Sequence, residues 1–151
     1  MISVTQAASY IYKRYKEEIG SDIDEMKLHK LLYLSQRESI IINGEPMFDA
    51  PFEAWKYGPV VVEVREKYRQ GTLMEDIDEN AVRDYLPVFD SVFNRYAQKD
   101  SWTLSLLTHG ESSWQNARKG LLPDDYCSEL LSLDDIRHDA ERMKMRRLFL
   151  S

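Results

Sequence analysis

The segment Phe52-Glu53-Ala54-Trp55-Lys56-Tyr57-Gly58-Pro59-Val60-Val61 constrains the fold of this chain more than any other. It sets two large aromatics beside a Gly-Pro break and follows a Leu-rich helical run. Proline suits the first position of a helix, where its missing N–H has no intrahelical partner. The segment is therefore expected to run extended and half-buried, to turn at Gly58 and to enter a helix at Pro59. That describes a structural junction and carries no evident chemistry.

Helical patterns surround it. Ser3 and Gln6 fit a capping box, after which Val4, Ala7, Ala8, Ile11, Tyr15 and Ile19 recur at helical spacing up to Gly20. A second helix is expected from about Asp24 to Asn43, closed by Gly44. Leu28, Leu31, Leu32, Leu34, Ile41 and Ile42 cover much of its circumference, which marks it as the central helix. Pro46 and Pro51 forbid a regular helix between Glu45 and Tyr57, so a small hairpin is expected around residues 47–56. A third helix should span Pro59 to Gln70, with Val60, Val61, Val64 and Tyr68 on one face.

Residues 72–79 read as a surface loop, and helical patterns over 80–86 and 88–98 are split at Pro87. Asp100 or Ser101 should cap a short helix carrying Trp102, Leu104, Leu106 and Leu107. Ser112 and Gln115 fit another capping box, and Ser132 should cap a last helix with Leu133, Ile136, Ala140 and Met143 inward. The expected class is mainly α: a compact single-domain bundle over residues 1–151, with six or seven helices and at most one short β-hairpin.

Composition excludes several functions. With 151 residues, 43% of them hydrophobic and 30% charged, the chain fits one soluble globular domain. Its longest aliphatic runs, such as Ile40-Ile41-Ile42, fall far short of the roughly 18 residues of a membrane span. The first residues show no secretory signal pattern, and the one cysteine, Cys127, cannot close an internal disulfide; both favour a cytoplasmic setting. A net charge of −6 argues against broad nucleic-acid binding and suits a basic protein partner.

Chemistry is hard to find. The six glycines form no phosphate-cradling motif, and His29, His109, His138 and Cys127 lack metal-ligand spacing, so no cofactor is implied. Cys127 has no local base to activate it and reads as a partly buried thiol. Leu107-Thr108-His109-Gly110-Glu111-Ser112-Ser113-Trp114 admits two readings. His109 and Glu111 could be an acid/base or ligand pair. Alternatively, Thr108 and His109 end a helix, Gly110 turns, Ser112 caps and Trp114 anchors the core; the lack of a nameable third group favours this second reading. Trp55, Trp102 and Trp114 all fall at element junctions, where anchoring in the core is the commoner use.

Taken together, these junctions resemble the Panacea domain, a group of SocA-like and phage-associated GepA-like proteins. The resemblance rests on Met26-Lys27-Leu28-His29-Lys30-Leu31-Leu32-Tyr33-Leu34-Ser35-Gln36, on Gly44 to Phe48, and on Phe52 to Val61. A second block combines Leu104 to His109 with Glu111, Trp114, Ala117 and Arg118. It covers residues 1 to about 119 well and the C-terminal helix loosely. Leu34 and Ser35 stand where the family commonly has aromatic or alanine residues, a change that is conservative for packing.

The resemblance implies a non-enzymatic antitoxin that binds a cognate protein toxin encoded by the adjacent gene. A second implied role is an adaptor that delivers the toxin to a cytoplasmic protease. A hydrolase using His109 and Glu111, or operator binding through Arg142 to Arg147, are the remaining readings. On this resemblance Lys27, Leu31, Tyr33, Trp55, Tyr57, Gly58, Pro59, Thr108, His109, Glu111, Trp114 and Arg118 are motif residues with structural work to do. Partner contacts are expected instead from the acidic stretch (Glu75, Asp76, Asp78, Glu79) and from Arg142 and Arg146 of the C-terminal helix.

Overall fold

The computed structural model describes residues 1–75 and 77–150. Ser3 opens α1 (Val4–Ile19) by accepting from Gln6 N, and Asp24 opens α2 (Glu25–Asn43) by accepting from Lys27 N. Then come β1 (Glu53–Trp55), β2 (Gly58–Val60), α3 (Val62–Gln70), α4 (Glu79–Val82), a 3₁₀ turn (Arg83–Tyr85) and α5 (Leu86–Tyr96). The chain continues through α6 (Ser101–His109), α7 (Ser112–Ala117) and α8 (Leu133–Leu150). Taking α4, the 3₁₀ turn and α5 as one kinked run, seven helical bodies and one hairpin make up the described residues.

Helix α2 is the axle. Residues 27–40 are all buried, and α1, α5, α6, α8 and β2 pack around it. Its leucines fill the core with Ile11, Phe48, Phe52, Phe89 and Phe93. A helix buried on every side must also bury its polar residues, and each then needs a partner. Gln36 accepts from Met47 N at 2.8 Å and donates to Phe48 O at 2.8 Å, fixing the segment after the helix. Glu38 accepts from both terminal nitrogens of Arg147, at 2.7 and 2.9 Å, which ties α8 to the axle.

Several sequence expectations shift. The hairpin lies at 53–60 rather than 47–56, and Pro59 sits in β2, so α3 begins at Val62. The register explains why: Ala54 faces Pro59, between the pairs Trp55↔Gly58 and Glu53↔Val60. Ala54 turns its own N–H and carbonyl away from β2, to Glu129 O and Arg118, so the missing N–H of Pro59 breaks no ladder bond. Val60 and Val61 consequently precede the helix they were assigned to. Trp102 stands 71% exposed instead of anchoring the core, and Leu133 faces solvent while Ile136 and Ala140 point inward.

The start of α7 is also capped differently. Glu111, not Ser112, occupies the N-cap position, and the Ser112 and Ser113 N–H groups donate to the Asp139 carboxylate of α8, at 2.8 and 2.9 Å. A buried carboxylate from another helix thus replaces the local cap. No helix among the described residues is long and apolar enough to cross a membrane.

Candidate functional site

Trp55, Tyr57, Gly58, Pro59, Thr108, Trp114 and Arg118 of the motif meet at the hairpin turn, whereas Lys27, Leu31, Tyr33 and Glu111 lie in the core. Trp114 Nε1 donates to Trp55 O at 2.8 Å. The Arg118 guanidinium, itself buried, donates to Ala54 O at 2.8 Å and to Asp125 O at 2.7 Å, with Leu122 O and Pro123 O at 3.3 and 3.2 Å. Lys30 donates to Tyr57 O from below. Beyond β1, Ala54 N donates to Glu129 O and Leu131 N to Phe52 O, both at 2.9 Å, so the segment after Cys127 runs alongside the strand. Five main-chain carbonyls are thereby held by two cationic side chains. Such an arrangement fixes a loop in one conformation.

Gly58 is required at the centre of this clamp. Its φ is 130°, and a Cβ there would lie 3.0 Å from both Lys30 Nζ and Thr108 Oγ1. Pro59 follows, buried, and Tyr57 projects outward, 51% exposed. Between the turn, the first turns of α2 and residues 124–127 lies a half-open pocket of about 390 Å³. Trp55, Val60, Met26, Tyr126 and Cys127 supply its apolar walls.

Two polar side chains enter that wall. Burial pushes the Lys30 ammonium down to about 8, against the pull of Asp24. Burial also lowers His29, outweighing Glu25, whose carboxylate faces His29 Nε2 at 3.3 Å. His29 Nδ1 is buried and has no hydrogen-bond partner among the described residues. Among the described residues no three His, Cys, Asp or Glu side chains gather as a metal site would require.

His109 and Glu111 go separate ways. His109 stacks on the Trp114 ring at 4.3 Å between centroids and 12° between planes, and burial, then Lys30, lowers its pKa. Glu111 turns inward to pair with Arg37, whose Nη2 also donates to Tyr96 OH at 2.8 Å. Burial pushes Glu111 up to about 7; Arg37 opposes the shift and Asp139 adds to it. Tyr33 joins this cluster through Ser113 Oγ at 2.9 Å, and burial raises its pKa well above the usual range. Leu31 is fully buried, and Lys27 donates to Tyr15 OH at 3.2 Å.

The candidate partner contacts occupy two separate places. Glu75, Asp78 and Glu79 are exposed beside α1, where Asp78 N donates to Gln6 and Glu79 pairs with Lys13. Asp76 lies outside the described residues. Arg142 and Arg146 line a groove of about 290 Å³ with Leu106, Leu107 and Met143. Arg142 also reaches Asp139 at 3.0 Å and Ser112 Oγ at 3.0 Å. Beside this groove, α6 exposes Trp102 (71%) and Leu106 (57%), four residues apart on one face.

Sequence reasoning assigned no role to Arg37, Glu38 or Asp139, and none to Lys30 and Gln36 beyond their place in the motif helix; Arg147 entered only as the end of the operator-binding reading. One signal was available: a helix with leucines all round its circumference must bury whatever polar residues it carries. Their partners were not readable from spacing.

The model of the antitoxin SocA-like Panacea domain family matches residues 28–115. That is more than half of the chain, from the first turn of α2 to α7, and the protein belongs to this family. Comparison with curated proteins and with solved structures returned no match.

Proposed function

We propose that this protein is an antitoxin that neutralises a cognate protein toxin, encoded by the adjacent gene, through direct binding in the cytoplasm. The observation that carries the reading is the antitoxin family match over residues 28–115, the span that builds most of the axle helix, the hairpin, and the Lys30 and Trp114 contacts to its turn. The geometry supports it. The motif residues are spent on main-chain carbonyls and core packing, which leaves recognition to the exposed faces.

The outer face of α6 with the neighbouring groove is the surface best suited to a protein partner. It combines an exposed Trp and arginines, residue types enriched where interfaces are strongest, with exposed leucines that add apolar area. Glu75, Asp78 and Glu79 form a second candidate surface, and the net charge of −6 favours the approach of a basic partner. Co-expression with the neighbouring gene product tests the proposal. Growth should be restored in cells that otherwise arrest, and both chains should co-purify; arrested growth with no complex would contradict it.

A further inference from the structure

We infer that the pocket beside the hairpin turn is a binding site for a small apolar carboxylate. Its anionic end would meet Lys30 Nζ, and its aromatic or aliphatic body would lie against Trp55, Val60 and Cys127. At about 390 Å³ the pocket falls within the range of small-molecule sites, and its wall is mostly apolar with few polar groups, as such sites are. The rigid clamp on the turn keeps it open without a ligand.

The charges around the wall favour an anion. Glu25 receives Arg69 Nε at 2.8 Å and His29 Nε2 at 3.3 Å. Asp124 pairs with Lys56 Nζ at 3.2 Å, and Asp125 Oδ2 accepts from Leu122 N at 2.8 Å. Every acidic side chain at the pocket therefore has a donor. Lys30 is the reverse case. It is only 2% exposed, its three donors meet one acceptor, the Tyr57 carbonyl, and among the described residues it forms no ion pair. An ammonium buried without a counterion is costly, and its depressed pKa reports that cost. A ligand carboxylate removes it. His29 also lines the pocket, and its Nδ1, which has no partner among the described residues, is a second unmet polar group beside it.

This site shares only α2 with the groove of Arg142 and Arg146, and no residue lines both, so ligand binding here and toxin binding there are read separately. Calorimetric titration of the full chain with indole-3-acetate and with indole-3-acetamide, at neutral pH, tests it. The acid should bind at least tenfold more tightly than the amide. Lys30→Met should bring the acid down to the level of the amide, while Tyr126→Ala, at a rim residue 79% exposed, should weaken both and keep the preference. If Lys30→Met fails to fold, the acid–amide comparison in the wild type and in Tyr126→Ala decides. Equal binding of acid and amide, or no binding at about 5 mM, would overturn the inference. So would binding of a peptide with a free C-terminal carboxylate where the small acid does not bind, because the pocket would then belong to a protein partner.

Discussion

A methyl group on Gly58 would have to sit 3.0 Å from both Lys30 Nζ and Thr108 Oγ1, on a backbone with φ of 130°. Gly58→Ala should therefore cost about 2 kcal/mol of stability, read as a shift in the urea midpoint; an unchanged midpoint would mean the turn is not held as described. Glu111 offers a test by pH. Its folded value of about 7 lies above its ordinary 4.5, so between those values the folded chain holds more proton than the unfolded one. The contribution of Glu111 to stability is then fully present below pH 4.5 and is lost as pH rises through about 7. Glu111→Gln should remove that slope; the difference in stability between wild type and variant, followed from pH 5 to 8 by denaturation (a window of about three units), should fall with rising pH. A flat difference would contradict the assignment. Single residues of this kind were only partly legible in the sequence. Gly58 announced a turn, but the two side chains that forbid a Cβ there come from α2 and α6.

At the scale of elements, helices were legible wherever apolar residues recur at a period near 3.6 and a capping side chain stands at the start, as at Ser3, Asp24 and Asp100. The hairpin was legible as an interruption, with its bounds placed several residues early. The outer edge of β1 is fixed by residues 129–131 and Arg118, all distant in sequence from the prolines that suggested the hairpin. The start of α7 was misread for a related reason: its N–H groups are satisfied by Asp139, 27 residues from Ser112. Arg118 is the residue that joins these pieces. Arg118→Met leaves the Ala54 and Asp125 carbonyls without their donor and should cost about 3 kcal/mol. Amide exchange at Ala54 and Leu131, which donate to Glu129 O and Phe52 O, should speed up before that of α2. Uniform protection across hairpin and axle would show that the guanidinium is not what holds the strand.

For the whole molecule, the fold class was legible because the leucines of α2 encircle their helix and so require helices packed around it. The distribution of exposed apolar surface was not. Trp102 looked like an anchor by its position at a helix start, yet it faces solvent with Leu106. Replacing both by alanine removes surface that is mostly exposed, so stability should change by less than about 1 kcal/mol. Toxin affinity should nevertheless fall at least tenfold if this face is the interface. Unchanged affinity would move the interface elsewhere, with Glu75, Asp78 and Glu79 next in line. Neutralisation by direct binding is tested by titrating the purified adjacent-gene product into this protein in a calorimeter. The account requires saturable binding at a defined stoichiometry with a dissociation constant below about 1 µM. No heat and no complex at concentrations where the toxin is active would contradict it.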